Sequence, residues 1–186
     1  MDVEDCGLTK DDVLLDRAQI ATRMTELAAE IDQRYQGSNL LLVGVLGGGF
    51  MIMADLCRAL SLPVEIDWLG ASSYGSGSRS SGIVQTTKEL ETDVAGRHVL
   101  LVDDILDTGL TISWLTRLMQ SGGARSVASC VLLRKPATSA RRIEADFVGF
   151  DIPDVFAVGF GLDHAGKYRN LSCVAQADKE SARQPA

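Results

Sequence analysis

Three carboxylates stand within five positions of one another near the middle of the chain: Asp103, Asp104 and Asp107. They follow an apolar run at residues 99–102 that predicts a buried strand, and they precede a Thr-Gly turn and a helical pattern beginning at Thr111. Ligands in open α/β sheets bind at the carboxyl ends of strands, and helix N-termini present unpaired N–H groups that suit phosphate. This junction therefore predicts a phosphate site with acids beside it.

Acids beside a helix N-terminus conflict with an anion site, because the helix end attracts anions while carboxylates repel them. A divalent cation and a sugar remove the conflict. Asp103 and Asp104 can accept hydrogen bonds from vicinal hydroxyls or approach a hydrated Mg²⁺, and backbone N–H groups of residues 108–111 can hold a phosphate. Together these groups fit a phosphorylated ribose.

A second junction of the same kind follows the apolar run Leu40–Leu46, which predicts a strand covered on both faces. The run ends in three consecutive glycines at residues 47–49, and a helical pattern then covers residues 50–60. Glycines can present N–H groups to phosphate in unusual backbone geometry, although a plain tight turn would also place them here.

The order of the remaining elements predicts the fold class. Asp16 and Gln19 form a capping-box variant before a helix that ends at Gly37. Strands are predicted around residues 64–68, 83–87 and 127–133, and a further helix ends at residues 122–123. Two short apolar runs follow at residues 147–150 and 156–160. This alternation predicts an α/β protein with a mostly parallel, twisted, doubly wound sheet flanked by helices. We expect one domain over residues 1–186, with a core at about 37–150, a small hood from N-terminal residues and about 151–175, and a polar tail at 176–186.

Composition excludes several classes of function. The 186-residue chain is 46% hydrophobic and contains no apolar run long enough to span a membrane, and acids among residues 1–6 argue against a secretory signal, so we expect a cytoplasmic protein. The net charge of -7 disfavours nucleic acid as a partner. The four cysteines are widely spaced and predict reduced, packed thiols.

Several motifs together resemble one known family. Residues 99–111 resemble the phosphoribosyl-pyrophosphate signature of type I phosphoribosyltransferases, and Ser72, Ser73, Tyr74 and Gly75, followed by residues 80–82, resemble the mobile loop of its hypoxanthine-guanine branch. Residues 146–150, 152–154 and 158–159, with Asp163 and residues 168–169, continue the match. The resemblance covers roughly residues 40–174 and implies the type I fold with its hood and active-site loop.

The resemblance implies roles for the central stretch. Asp103 and Asp104 would hold the ribose hydroxyls and the metal environment, and Asp107 would be the general base that takes the proton from N7 of a purine as N9 bonds to ribose C1. The 5′-phosphate would be bound by Asp107, Thr108, Gly109, Leu110 and Thr111.

Pyrophosphate is expected at Leu46, Gly47, Gly48 and Arg169, where a surface salt bridge is the alternative role of the arginine. Many relatives carry lysine or arginine at Gly47, so the glycine leaves a side-chain contact there in doubt. The loop at residues 72–82 is expected to close over the site and exclude water, although a plain hairpin tip is its alternative.

The purine is expected to bind at Ile105, Lys135, Phe156, Ala157 and Asp163. Lys135 would donate to the six-position oxygen, Phe156 and Ile105 would pack on the two faces of the base, and the backbone at Ala157 and Asp163 would contact its edge. A surface lysine and a core phenylalanine are the alternatives. Asp163 would also approach a second Mg²⁺, so the expected metal ligands are Asp103, Asp104 and Asp163.

The resemblance thus predicts an enzyme of purine salvage that transfers the phosphoribosyl group from phosphoribosyl pyrophosphate to hypoxanthine and to guanine. Its cofactor would be Mg²⁺, and it would form a homodimer or homotetramer. Two alternatives remain at this point: a phosphoribosyltransferase for xanthine or another base, and a non-catalytic regulator that senses phosphoribosyl pyrophosphate. The histidines, His98 and His164, receive no catalytic role.

Overall fold

The computed structural model describes residues 3–73, 84–136 and 143–177, and these fold into two sheets and three α-helices. In chain order the elements are β1 (Val13–Leu15), α1 (Arg17–Tyr35), β2 (Leu40–Leu46), α2 (Phe50–Ala59), β3 (Glu65–Ser73), β4 (Val84–Lys88), β5 (His98–Leu106), α3 (Leu110–Ser121), β6 (Ser126–Arg134), β7 (Phe147–Asp151), β8 (Ala157–Val158) and β9 (Val174–Gln176).

The larger sheet has six strands in the order β4-β3-β2-β5-β6-β7. All of its pairings are parallel except that of β4 with β3, which form an antiparallel hairpin. The carboxyl ends of β2 and β5 therefore meet at one edge, near the middle of the sheet. This arrangement confirms the predicted α/β class with a mostly parallel sheet.

Helices cover both faces of this sheet. Successive side chains of a strand point to opposite sides, so these apolar strands present hydrophobic residues on both faces, and both must be buried. Leu42 of β2 and Leu100 of β5 pack with α1 and α2, whereas Leu41 and Leu101 pack with the α3 side of the sheet. The capping box predicted for α1 is present, since the Gln19 N–H donates to Asp16 at 2.8 Å and the Asp16 N–H donates to Gln19 at 2.8 Å.

The central strand is longer than the sequence pattern predicts. The apolar run suggests a strand that ends at Val102, but β5 continues to Leu106 because its pairing with β6 continues as well. Asp103 lies opposite Val131, and Leu106 lies opposite Arg134. The first two acids of the central stretch are thus held by the sheet rather than by a loop.

In β3 the predicted strand is present, but its apolar and polar residues are not buried as the alternation suggests. Ile66 is 40% exposed, while Asp67 is 6% exposed. The carboxylate of Asp67 accepts backbone N–H groups from Trp68 at 2.7 Å and from Glu91 and Thr92 at 2.8 Å each. These bonds replace the water that the carboxylate loses on burial.

The smaller sheet has the strand order β1-β9-β8, and all its pairings are antiparallel. It therefore brings β1, from the N-terminal part of the chain, beside two strands that come after the larger sheet. Its core includes Val3, Val158, Leu171 and Ala175. The predicted apolar run at 156–160 contributes only the two-residue strand β8. The segment between β8 and β9 reaches the carboxyl-end edge of the larger sheet, where a Cβ placed on Gly161 would meet the backbone of Gly48. The division of the chain into core, hood and tail stays a prediction.

No helix within the described residues is both long enough and apolar enough to cross a membrane.

Candidate active site

A cleft of about 430 Å³ opens at the carboxyl ends of β2 and β5. It is lined by the loop after β2, the end of β5, the turn into α3 and the segment that follows β8. Twelve of the residues singled out in the sequence meet here: Leu46, Gly47, Gly48, Asp103, Asp104, Ile105, Asp107, Thr108, Gly109, Thr111, Asp163 and Arg169. The fold therefore brings together residues that are up to 123 positions apart, from Leu46 to Arg169.

The adjacent carboxylates Asp103 and Asp104 form the floor of this cleft. Asp103 is 7% exposed and accepts one backbone N–H, that of Asp104, at 2.9 Å. Burial, and then the charge of Asp104, raise the pKa of Asp103 well above its ordinary value. Burial also raises the pKa of Asp104, although the positive charge of Arg169 opposes that shift. Such a pair gains from a cation or from hydroxyl donors.

The turn between β5 and α3 has the geometry of an anion site. Gly109 adopts φ +73°, and a Cβ at this position would lie 2.9 Å from Ile143, so glycine is required here on two grounds. Helix α3 begins at Leu110, whose N–H has no partner within the helix and makes a long contact, 3.5 Å, with the Thr108 hydroxyl oxygen. The Leu110 side chain is 44% exposed and does not line the cleft, so only its backbone can serve the predicted phosphate site.

The glycine loop after β2 faces this turn across the cleft. The Leu46–Gly47 peptide bond is cis. A Cβ on Gly48 would overlap the carboxylate of Asp104, and a Cβ on Gly49 would come within 2.7 Å of the Val45 carbonyl oxygen. The absence of side chains is thus what lets this loop lie against the acidic pair.

The cation at this loop comes from elsewhere in the chain. The guanidinium of Arg169 lies beside Gly47, with its Nη2 3.4 Å from the position of a Cβ there. Arg169 Nη1 donates to the Gly161 carbonyl at 2.6 Å, and Nη2 is 2.7 Å from Asp163 Oδ1. The salt bridge considered as the alternative role is therefore present, but it lies inside the cleft.

Lys135 approaches the cleft from the end of β6. Its Nζ lies 3.9 Å from Asp107 Oδ2 and 3.3 Å from Asp154 Oδ1, and its side chain is 12% exposed. Lys135 is therefore not a free surface lysine. Asp107 itself is exposed, which leaves its carboxylate open to a ligand.

The other predicted purine contacts lie on the side of the smaller sheet. Phe156 is half-buried against the core of that sheet, as the alternative to a stacking role suggests, and its ring meets His164 edge-to-face at 5.3 Å. Ala157 is buried in β8. Neither Phe156 nor Ala157 lines the 430 Å³ cleft.

The predicted loop residues can be followed only in part. Ser72 and Ser73 close β3, and their backbones pair with β4. Their side chains, together with Tyr74 and Gly75, lie outside the described residues. Their role over the site stays a prediction.

Two residues at the site received no role from the sequence. Asp154 belongs to the quoted Ile152-Pro153-Asp154 motif, so its carboxylate was a visible signal. Gly161 contributes a carbonyl oxygen to Arg169, and a main-chain acceptor leaves no trace in the residue type.

Comparisons with known proteins agree with this geometry. The model of the phosphoribosyl transferase domain family matches residues 12–165. The chain is 44% identical over 172 residues to a hypoxanthine-guanine phosphoribosyltransferase of Mycobacterium tuberculosis, covering 89% of this chain and 85% of that protein. It is 41% identical over 167 residues to a hypoxanthine phosphoribosyltransferase of Escherichia coli, covering 89% and 94%.

A solved structure shows the same fold. The crystal structure of a hypoxanthine phosphoribosyltransferase from Staphylococcus aureus superposes with a TM-score of 0.85 at 40% identity, covering 90% of this chain and 91% of that one. The mostly parallel sheet, with an acidic strand end, a glycine loop and a helix start at one edge, has the fold of the type I phosphoribosyltransferase class. The chain belongs to the phosphoribosyltransferase family, and these relatives lie in its hypoxanthine-guanine branch.

Proposed function

We propose that the chain is a purine-salvage enzyme that transfers the 5-phosphoribosyl group from phosphoribosyl pyrophosphate to N9 of hypoxanthine, giving IMP and pyrophosphate. Guanine is the second base and gives GMP. The observation that carries the proposal is the exposed carboxylate of Asp107, which lines the same cleft as Asp103 and Asp104 and lies 3.9 Å from the Lys135 ammonium. The relatives named above act, by their names, on the same bases.

Asp107 and Lys135 divide the work on the base. Asp107 takes the proton from N7 as N9 bonds to ribose C1, a role that suits a carboxylate accessible from the cleft. Lys135 donates to the six-position oxygen, which adenine lacks. The ammonium lies 3.9 Å from Asp107, so one purine can meet both groups along its six-position oxygen and N7 edge.

The sugar and the departing group lie over the acidic pair. Asp103 and Asp104 accept hydrogen bonds from the ribose hydroxyls, while the N–H groups of residues 108–111 hold the 5′-phosphate. The backbone of Gly47 and Gly48 and the guanidinium of Arg169 face the pyrophosphate, whose charge grows as the C1 bond breaks.

The same residues fit a magnesium ion. No set of three or more metal-binding side chains is assembled within the described ranges. Mg²⁺ commonly takes one or two carboxylates and completes its shell with waters and substrate phosphates, so Asp103 and Asp104 would hold one ion and Asp163 would approach a second. When bound, Mg²⁺ would neutralise charge on the departing pyrophosphate.

The substrate assignment is tested by assaying the purified protein with phosphoribosyl pyrophosphate, Mg²⁺ and each of hypoxanthine, guanine, xanthine and adenine. We expect turnover with hypoxanthine and guanine. A preference for xanthine would move the chain to the first alternative, and a preference for adenine would remove the role of Lys135. Tight binding of phosphoribosyl pyrophosphate without turnover on any base would identify the regulator.

The quaternary structure and location complete the proposal. We expect a homodimer or homotetramer that works in the cytoplasm. Light scattering of the purified protein tests the first point, since a monomeric mass at micromolar concentration would contradict it. Fractionation of the source cells tests the second.

A further inference from the structure

Lys135 lies between two carboxylates that are not equivalent. Asp154 is its close partner at 3.3 Å, whereas Asp107, at 3.9 Å, lies beyond hydrogen-bond range. Because the Lys135 side chain is 12% exposed, few waters can orient its ammonium. The direction of the ammonium is therefore set mainly by these two acids.

The position of Lys135 is fixed by the neighbouring strand. Its backbone N–H donates to the Leu106 carbonyl at 3.0 Å, next to Asp107 in the chain. The main chain at Lys135 thus cannot move away from Asp107 without breaking a bond at the end of β5. Only the side chain can choose between the two carboxylates.

The segment that carries Asp154 is tied to the residue before Lys135. The Ile152 N–H donates to the Arg134 carbonyl oxygen at 2.9 Å. The Arg134 guanidinium donates to both carboxylate oxygens of Asp151, at 2.6 and 3.0 Å. A two-point arginine–carboxylate pair fixes geometry as well as charge. The separation of Asp154 from Lys135 is therefore built into the junction of β6 and β7.

The charge of Asp154 has a consequence for Asp107. Without it, the Lys135 ammonium would be drawn toward Asp107, its other carboxylate partner in the described structure. A close Lys135–Asp107 pair would occupy both groups that are proposed to meet the purine. Since Asp154 is well exposed, solvent screens its pull, and a moderate effect is expected.

We infer that Asp154 is a positioning residue: its carboxylate holds the Lys135 ammonium off Asp107 and directs it to the six-position oxygen of the base. The inference rests on the proposed function, because it deepens the role of Lys135. It makes Asp154 a determinant of base recognition that does not itself touch the base.

The experiment compares Asp154→Asn with the unaltered enzyme in steady-state assays. The KM for hypoxanthine should rise about three- to fivefold, as expected for losing one ion pair whose carboxylate is exposed to solvent. The KM for phosphoribosyl pyrophosphate should stay within about twofold. The preference for hypoxanthine over adenine should shrink in the same proportion.

Two further variants separate positioning from structure. Asp154→Glu keeps the charge and should restore most of the affinity for hypoxanthine. Glu144→Gln removes an exposed carboxylate that pairs with the neighbouring Arg134 at 3.1 Å, and it should leave both KM values unchanged. Thermal unfolding of each variant checks that the chain is folded, and Asp154→Ser replaces Asp154→Asn should the latter be unfolded.

The outcomes are decisive. An unchanged KM for hypoxanthine in Asp154→Asn, or equal rises in both KM values, would overturn the inference. Failure of Asp154→Glu to recover affinity would do the same. Absence of hypoxanthine turnover in the unaltered protein would instead refute the proposed function, so the two failures are distinguishable.

Discussion

Asp67 in β3 and Asp103 in β5 are both buried aspartates of the larger sheet, on the two strands that flank β2. They differ in how many hydrogen-bond donors surround the carboxylate. Asp67, 6% exposed, accepts three backbone N–H groups, whereas Asp103, 7% exposed, accepts one. Burial alone would raise the pKa of Asp67, but the N–H groups of Thr92, Trp68 and Glu91 lower it below its ordinary value. The pKa of Asp103 is raised.

The two surroundings distinguish a structural acid from one that is proposed to bind a ligand. The protein surrounds the carboxylate of Asp67 with three main-chain N–H groups, the Thr92 hydroxyl and the Lys88 ammonium at 3.7 Å, so that side chain contributes stability and has little capacity left to bind a ligand. Asp103 is buried without equivalent donors, at a cost in stability, and its oxygens remain available for a ligand. A buried carboxylate with few hydrogen-bond donors therefore indicates a ligand site in this chain.

The largest effect is expected at the third acid of the central stretch. Replacing the exposed Asp107 by asparagine removes the proton acceptor and should lower kcat by about 10² to 10⁴. Binding of phosphoribosyl pyrophosphate, measured by calorimetry in the presence of Mg²⁺, should be kept. Unchanged turnover would show that Asp107 is not the proton acceptor. Loss of phosphoribosyl-pyrophosphate binding would show that Asp107 also binds this substrate, as is proposed for Asp103 and Asp104.

The structural side of the comparison is tested by Asp67→Asn. The amide offers a poorer acceptor to three N–H donors, and the free energy of unfolding should fall by about 2 kcal/mol at neutral pH, with kcat unchanged. Chemical denaturation followed by circular dichroism measures the first quantity. Glu89→Gln makes the same change of charge at an exposed residue near the same loop and should have no effect.

The loss of stability in Asp67→Asn should depend on pH. Because folding lowers the pKa of Asp67, its carboxylate stabilises the fold above the pKa of about 3.9 that an unfolded aspartate has, and this contribution is lost as the pH falls through the folded value. The difference between Asp67→Asn and the unaltered protein should therefore shrink as the pH falls below about 4. A difference that persists at low pH would mean that packing, not charge, is responsible.

The glycine loop gives a third way to test the functional side. Gly48→Ala would place a methyl group in the volume of the Asp104 carboxylate, so the loop or the acid must shift. We expect kcat/KM for phosphoribosyl pyrophosphate to fall about tenfold or more. Gly47→Ala meets only the Arg169 guanidinium at contact distance and should lose clearly less. Equal losses would show that the fit to the acidic pair is not what the loop requires.

The smallest effect should appear in the stability of Asp103→Asn. A neutral amide removes a buried charge that lacks donors, so the free energy of unfolding should rise by about 1 kcal/mol while activity falls. The change in stability is opposite to that of Asp67→Asn, and activity falls here whereas it is unchanged there. The same denaturation and rate measurements compare the two variants directly. If Asp103→Asn lost as much stability as Asp67→Asn, the two carboxylates would not differ in their contribution to the fold, contrary to the proposal.

Much of the fold was predictable because its signals are local. The apolar run at Leu40–Leu46 coincides with β2, and the acid and amide at positions 16 and 19 form the capping box of α1. The motif at residues 99–111 is contiguous, so the acids at the strand end and the turn into the helix were predictable without any knowledge of long-range contacts. Together with the loop and the later motifs it indicated the family.

Other features depend on residues that are distant in sequence and were beyond local patterns. The pairing of β5 with β6 carries the strand past Val102 to Leu106, since hydrogen bonds from a neighbour extend a strand whatever its own side chains prefer. The burial of Asp67 depends on N–H groups 24 and 25 positions further on. Neither donor is marked by its residue type, because every non-proline residue carries an N–H.

The sequence alone determined which residues could do chemistry here: the acids, the glycine loop, Lys135 and Arg169. Only the tertiary structure decided what each of them faces. It set Arg169 beside Gly47, where it provides the cation that the glycine lacks, and it set Lys135 between Asp107 and Asp154. The reason is that the charges a side chain meets are fixed by which strand ends and loops converge, and that convergence belongs to the whole fold.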